Sequence, residues 1–364
     1  MPQKKKSNSI YALIVAGGTG TRLWPHSRRT RPKQLLPLIS SRTMLQETVD
    51  RILPIIPADH VFIVTNSGYV KTSREQLPNV PPDNIIGEIE GHGTAPSIGL
   101  GGLYIDQLDP NAVMVSLHAD HFIARPADFR RALSNAAQVA QEGYLVTLGI
   151  KPSHPETGYG YIHRGELVEQ VGDQPVYRVA QFLEKPDVLT ATRFVESGEY
   201  YWNSGIFAWK LSTLWEEYDH YQPKLCTQLR AIGKDLGTRR ELATMKRVWK
   251  KIANETIDVG IMERSQRVVT LPIDVGWSDV GSWATLLDLL PANRENNVVV
   301  GEHIGVDTTS TLVYSPNRLI ATVGLKDMIV VDAGDAILVC PKDRAQEVKH
   351  LVDALKKNHK HKYL

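Results

Sequence analysis

The residues best suited to chemistry begin with a glycine-rich run, Gly17-Gly18-Thr19-Gly20-Thr21-Arg22-Leu23-Trp24-Pro25, directly after the apolar stretch Ile10–Ala16. Glycines there let backbone N–H groups approach an anion with no side chain in the way. A dinucleotide turn is the obvious competitor, but its Gly-x-Gly-x-x-Gly pattern is not completed: Leu23 stands where close helix packing wants a small residue. A Walker loop would need Gly-Lys-Ser/Thr, which is absent. Arg22 lies inside the run and Lys33 follows in Arg31-Pro32-Lys33-Gln34. Two cations beside a glycine turn suit a triphosphate whose charge grows at the reacting phosphorus.

Two carboxylates complete a phosphate-transfer set. The strand-like segment 113–117 ends in His118-Ala119-Asp120-His121, which puts Asp120 at a strand's carboxyl end, where open α/β sheets bind ligands. Such an Asp can hold Mg²⁺ through oxygen, and Mg²⁺ on phosphates takes one or two protein carboxylates. The flanking histidines raise zinc as an alternative, although no second ligand cluster at suitable spacing accompanies them. Asp279, in Gly276-Trp277-Ser278-Asp279-Val280-Gly281-Ser282-Trp283, is the candidate second metal ligand. Taken alone, it is as readily explained as the N-cap of the helix that follows. Asp274 is expected to be structural, and Arg28, Arg29 and Arg31 to form a solvated face.

The runs GGTGTRLWP and RPKQLLPL resemble the N-terminal signature of the nucleotide-sugar pyrophosphorylases, and Trp24 with Lys33-Gln34 resembles their mannose-1-phosphate guanylyltransferase branch. The segment around Asp279 is similar to the family's second metal-binding segment. Three more segments, Glu156-Thr157-Gly158-Tyr159-Gly160-Tyr161, Phe182-Leu183-Glu184-Lys185-Pro186 and Trp202-Asn203-Ser204-Gly205-Ile206-Phe207, resemble its sugar-phosphate site. The resemblance implies transfer of GMP from GTP to mannose-1-phosphate, giving GDP-mannose and pyrophosphate, with Mg²⁺ as cofactor. It implies Arg22, Lys33 and Asp120 as catalytic residues and Asp120 and Asp279 as metal ligands. Gly17, Gly18, Gly20, Thr21 and Thr94 would bind nucleotide, and Glu156, Gly158, Glu184, Lys185, Asn203 and Ser204 the sugar phosphate. The chain departs from the family at the base-recognition segment. Where the pattern reads Glu-Pro-x-x-Arg-Asn-Thr-Ala-Pro, Thr94, Ala95 and Pro96 match, but His92-Gly93 replaces Arg-Asn. A UTP- or dTTP-dependent enzyme acting on glucose-1-phosphate and a non-catalytic nucleotide-sugar sensor are the rival readings. Retention of both carboxylates with Arg22 and Lys33 argues against the sensor.

The elements that must position these groups alternate in period. Apolar runs at 10–16, 61–65, 112–117 and 144–150 have the pattern of strands buried on both faces, and helical periodicity covers 43–53 and 126–142. That alternation predicts an α/β fold, a mostly parallel Rossmann-like sheet. Shorter alternating strands are expected over 159–183, and helices over 211–229, 241–251 and 283–290. A polar break at 291–297 marks the expected boundary between a catalytic domain, residues 10–290, and a small C-terminal β domain, residues 291–364. The family likeness makes that second domain short and β-helix-like, and the helical spacing of Val348, Leu351, Val352 and Leu355 predicts a closing amphipathic helix over 344–355. Residues 1–9 are read as a disordered leader carrying Lys4-Lys5-Lys6.

Lys plus Arg number 42 and Asp plus Glu 40 in 364 residues, so no global field attracts nucleic acid or an anionic membrane, and phosphate affinity must be local. No apolar stretch is long enough to span a membrane or to form a signal-peptide core, which leads to a cytoplasmic expectation. The two cysteines, Cys226 and Cys340, lack metal or redox spacing and are expected as buried free thiols. The resemblance implies small-molecule partners, GTP and mannose-1-phosphate, and whether the chain works as a homodimer is left open.

Overall fold

The computed structural model describes residues 9–364; the expected leader lies, except for Ser9, outside the described residues. In chain order the strands are β1 (Ile10–Ala16), β2 (Val61–Asn66), β3 (Ile85–Glu88), β4 (Val113–His118), β5 (Phe122–Ile123), β6 (Leu145–Ile150), β7 (Gly160–Val171), β8 (Gln174–Glu184), β9 (Tyr200–Lys210), β10 (Val268–Ile273), β11 (Trp277–Ser278), β12 (Val298–Val306), β13 (Leu312–Val323), β14 (Met328–Asp332) and β15 (Ile337–Pro341). The chain forms two compact units that are not contiguous in sequence. One comprises residues up to Gly17, Val49–His118 and Ile123–Trp277; the other comprises Gly18–Thr48, Ala119–Phe122 and Ser278–Leu364.

The first unit is built on a nine-stranded sheet in the order β3-β2-β1-β4-β9-β6-β10-β8-β7. β1 pairs in parallel with β2 and β4, as do β2 with β3 and β10 with β6. β9 runs antiparallel between β4 and β6, and β8 antiparallel beside β10, so the sheet is mainly parallel with reversed insertions. The apolar runs that predict β1, β2, β4 and β6 are buried along nearly their whole length. The strands expected over 159–183 form the antiparallel β7–β8 hairpin.

Of the elements in this unit that escape the sequence patterns, two are instructive. The helix Thr94–Leu108 is apolar on nearly every side and contains Gly99, Gly101 and Gly102, so it has neither amphipathic period nor good propensity. Packing overrides both. A Cβ on Gly101 would lie 2.3 Å from Leu13 Cδ1, and one on Gly99 would lie 2.3 Å from Leu229 Cδ1, so the helix approaches its neighbours at distances only glycine allows. β9 escapes because its signature residues have the look of a binding loop; they lie instead on a strand inside the sheet.

The second unit has its own core, in which Leu23, Trp24, Leu36, Met44, Trp283, Leu312, Tyr314, Ile329 and Val331 are buried together. β12, β13 and β14 pair in parallel and β15 closes the sheet antiparallel. Successive parallel strands joined by short loops are the coil geometry of a β-helix. β13 runs unbroken through Pro316-Asn317, although that pair has the composition of a turn. Trp24 holds its loop to this core from both sides: its indole Nε1 donates to Tyr363 O at 2.8 Å, and its carbonyl accepts from Trp283 Nε1 at 2.9 Å. The terminal helix, Val348–Lys357, buries Val348 and Val352. Arg28 departs from the expected solvated face. Its guanidinium lies over the Trp24 ring and pairs with Asp335 at 2.8 Å. Cys226 is buried as expected, whereas Cys340 is half-buried.

Asp332 is a buried charge of the second unit. It accepts from Arg318 Nε at 2.6 Å, from Ser315 Oγ at 3.1 Å and from the Gly334 N–H at 2.8 Å. The Arg318 bond, above all, holds its pKa down to about 2 from the ordinary 3.8. A carboxyl depressed in the folded state adds stability above its unfolded pKa and loses it as pH falls through the folded one. The gap in thermal midpoint between wild type and Asp332→Asn should therefore be full at neutral pH and close as pH falls from about 4 to about 2. Melting curves of both proteins across that range check this; a gap that stays constant would contradict it.

Candidate active site

The glycine run turns sharply after β1, and from Gly18 onward it belongs to the second unit. Gly20 adopts φ +66° and leads into the 3-10 turn Thr21–Leu23, leaving Arg22 exposed. The lack of a side chain at Gly20 has a second use, since a Cβ there would lie 2.5 Å from Lys33 Cβ. Ser27 Oγ donates to Gly20 O at 2.5 Å and fixes the turn.

Lys33 is buried, with 6% of its surface exposed. Its ammonium donates to Asp120 Oδ2 at 2.8 Å and to the backbone carbonyl of Asp279. One nitrogen therefore touches both segments expected to bind metal. Asp279 does not cap the following helix. That role belongs to Ser282, whose side chain accepts from the Thr285 N–H, while Asp279 Oδ1 accepts from the Gly281 N–H at 3.0 Å. Between them, buried Val280 has φ +48°, a conformation a β-branched residue adopts at a cost. Strain of this kind persists only where surrounding contacts over-determine it, and here it holds Asp279 O towards Lys33. Asp120 and Asp279 offer hard oxygen donors of the type Mg²⁺ takes, and Lys33 ties the Asp120 carboxylate to the Asp279 backbone.

In the first unit, the candidate sugar-phosphate residues lie on the β7–β8 hairpin, on the loop before it and on β9. Glu156 Oε1 accepts from the Gly158 N–H at 2.7 Å, closing a tight loop. Glu184 and Lys185 end β8 as an exposed ion pair at 2.5 Å. Gly160 admits the Glu184 carboxylate, since a Cβ there would lie 2.6 Å from Glu184 Oε2. On β9 the register against β6 shifts between Thr147 and Gly149, and Gly205 takes φ +66°. Bulges re-aim side chains, and this one carries Asn203. Its Oδ1 accepts from the Gly205 N–H at 3.1 Å. Ser204 is buried, with its hydroxyl donating to Leu148 O at 2.6 Å and accepting from the Ile206 N–H. Thr94 opens its helix and accepts from the Ile257 N–H through Oγ1 at 2.9 Å. Asp274, expected to be structural, pairs with Arg125 at 2.5 Å.

Two acidic residues without a role in the sequence reading stand beside these groups. Glu88 ends β3, is buried and accepts from Ser97 Oγ at 2.7 Å; burial pushes its pKa up, against that bond. Its Oε1 lies 3.3 Å from where a Gly17 Cβ would be. Asp258 accepts from Asn203 Nδ2 at 2.7 Å. The parallel register β1-β2-β3 could have revealed Glu88, since it brings the ends of β1 and β3 to one edge of the sheet; nothing in local spacing marks Asp258.

A family model described as nucleotidyl transferase matches residues 11–296, and one described as a mannose-phosphate isomerase/GMP-like beta-helix domain matches 301–355. The mannose-1-phosphate guanylyltransferase of Escherichia coli (strain K12) is 39% identical over 98% of this chain and 75% of its own length. That of Salmonella typhimurium (strain LT2) is likewise 39% identical, over 98% of this chain and 75% of its own. The crystal structure of a protein described as a mannose-1-phosphate geranyltransferase, from Thermus thermophilus, superposes with a TM-score of 0.86 at 32% identity, covering 96% of this chain and 99% of that one.

The Gly20–Lys33 contact can be tested directly. Gly20→Ala adds both a left-handed strain and a Cβ at 2.5 Å from Lys33 Cβ, so it should displace the ammonium from Asp120. A fall in turnover of at least about tenfold, with the melting midpoint lowered by only a few degrees, is the expected result. Wild-type turnover in Gly20→Ala would show that Lys33's placement is not needed.

Proposed function

The chain belongs to the nucleotidyl transferase family, and from that premise we infer that it transfers GMP from GTP to mannose-1-phosphate, releasing pyrophosphate and GDP-mannose. The observation that carries the reading is the near full-length likeness to enzymes bearing that activity as their name. A phosphate oxygen of mannose-1-phosphate attacks the α-phosphorus of GTP; that P–O bond forms as the bond to the β-phosphate oxygen breaks. The nucleophile is already ionised near neutral pH, so no side chain has to remove a proton. What remains for the protein is placement and charge neutralisation.

The groups divide accordingly. Arg22 and the N–H groups of Gly17, Gly18, Gly20 and Thr21 would take the triphosphate, as donors to charge that grows on the transferring phosphorus. Lys185 would meet the sugar phosphate as a point charge, and Glu156, Glu184 and Asn203 the sugar hydroxyls. Asp120 and Asp279 would hold Mg²⁺, which when bound supplies charge neutralisation on the phosphates. The Lys33 ammonium, bonded to the Asp120 carboxylate and to the Asp279 backbone carbonyl, brings the two segments to one place, which supports that assignment. Lys33 would also lend its charge to phosphate while keeping Asp120 in place. Among the described residues no helix is long and apolar enough to cross a membrane.

A panel of nucleoside triphosphates against sugar-1-phosphates, scored by pyrophosphate release, tests the substrate pair. GTP with mannose-1-phosphate should turn over fastest, and a faster rate with UTP or dTTP and glucose-1-phosphate would replace the reading. The metal pair makes a separate forecast. Asp120→Asn and Asp279→Asn should each remove most activity, while the double variant is little worse, because groups acting as one unit are non-additive. Since Ser282 caps the helix, Asp279→Asn should melt as wild type does. Raised Mg²⁺ should partly restore the single variants; full activity in Asp279→Asn at ordinary Mg²⁺ would remove it from the pair.

A further inference from the structure

The stretch from Glu255 to Met262 carries no motif, yet it touches two of the candidate binding segments. Glu255 O accepts from the Ala95 N–H at 3.2 Å, and Ile257 N–H donates to Thr94 Oγ1. Residues Asp258–Met262 then form a single π-helical turn. Such turns are uncommon and cluster at functional sites, because the extra residue pushes a side chain out of the helical register. Asp258 opens the turn, and its carboxylate receives Asn203 Nδ2 at 2.7 Å.

The consequence for Asn203 is a fixed orientation. The Gly205 N–H can only donate, so the Asn203 atom facing it must be the oxygen, and that leaves the nitrogen to face the Asp258 carboxyl. Turning the amide over would set two donors together and two acceptors together, and would break one charge-assisted hydrogen bond. Gly205, in turn, sits where other residues would be strained. Its φ is +66°, and a Cβ would lie 2.6 Å from His118 Nε2. Asn203 is left with one N–H and one oxygen lone pair, held in a known order for a ligand's hydroxyl groups. Asp258 keeps part of its surface exposed, but packing around the carboxylate raises its pKa, with the Asn203 bond and His118 acting against the rise and Glu184 adding to it.

We propose that Asp258 is a positioning residue for the sugar-1-phosphate, locking the Asn203 amide so that its free N–H and lone pair select the pattern of sugar hydroxyls. This rests on the reading of Asn203 as a sugar ligand, and it adds a residue and a turn that the signature segments do not contain. Asp258 acts through Asn203 and does not itself touch the substrate.

The test is a double-mutant cycle in steady-state kinetics, run with mannose-1-phosphate, or with whichever sugar-1-phosphate the panel selects. Asp258→Ala should raise KM for the sugar phosphate about 10- to 100-fold, the scale of one charge-assisted hydrogen bond, with KM for the nucleotide changed less than about twofold. Asp258→Asn, whose carbonyl can still accept from Asn203, should recover to within about threefold of wild type. In an Asn203→Ala background, Asp258→Ala should add almost nothing. If Asp258→Ala fails to fold, Asp258→Ser, too short to reach Nδ2, takes its place. Equal cost with and without Asn203, equal damage from Asp258→Asn and Asp258→Ala, or a parallel rise in nucleotide KM would each overturn the proposal. A change of preferred substrate in the wild-type panel would instead overturn the mannose reading and leave the coupling measurable on the sugar phosphate that replaces it.

Discussion

A buried ammonium must be balanced, and Lys33 is balanced by groups drawn from distant parts of the chain. The Asp120 carboxylate comes from the segment that follows β4 and the Asp279 carbonyl from the turn before the helix Trp283–Leu289. Removing one partner from such a pair leaves the other desolvated and unpaired, which costs several kcal/mol in typical cases. The local oddities of the second unit follow from this one constraint. Gly20 has no Cβ because Lys33 passes there, Val280 accepts a left-handed φ because Asp279 O must face inward, and Ser282 takes the cap so that Asp279 is released from it. Around this group the apolar core of Trp24, Trp283 and Tyr314 supplies rigidity, tied by the indole hydrogen bonds of both tryptophans.

The first unit solves a different problem, that of presenting polar side chains from within a sheet. A parallel strand ends at its carboxyl edge, and loops there carry ligands. β9 departs from this by running through the sheet interior in reverse, so only a bulge can free Asn203 from the pleat. Ser204, the next residue, shows what the bulge requires: its hydroxyl replaces ladder partners by bonding Leu148 O and the Ile206 N–H. Adjacent residues of one motif thus divide the work, Asn203 facing Asp258 and Gly205 while Ser204 mends the backbone.

How much of this the sequence discloses depends on the range of the physics involved. Strands β1, β2, β4 and β6 are legible because burial on both faces writes an uninterrupted apolar run. The β-helix-like coil is legible as strands but not as one continuous β13, because Pro316-Asn317 has the composition of a turn. The helix Thr94–Leu108 is hidden because its glycines serve contacts with Leu13 and Leu229 that no local window contains. Among the candidate ligands, Lys33, Asp120 and Asp279 are visible as residue types at suggestive positions, but their convergence on one nitrogen is a fact of tertiary structure. Asp258 is invisible to spacing altogether, being 55 residues from the amide it holds.

The departure at His92-Gly93 shows the same long-range logic. Gly93 has φ +86°, and a Cβ there would lie 2.2 Å from the carbonyl oxygen of Glu255. That oxygen is backbone and is already engaged by the Ala95 N–H, while the Glu255 N–H donates to His92 O at 2.9 Å. Nearby, Trp249 Nε1 donates to Glu90 O at 2.7 Å, and its ring lies against that of His92. The segment is therefore clasped by the stretch from Trp249 to Ile257, and no side chain fits at position 93 while the clasp holds. Placing Asn there would not restore the family's Arg-Asn pattern, because the Glu255 backbone would first have to move, and with it the turn that begins at Asp258. Positions 92–93 and 255–258 thus behave as one structural unit: the glycine that departs from the family pattern beside Thr94 is also what lets the Glu255 backbone pass close enough for the next turn to reach Asn203.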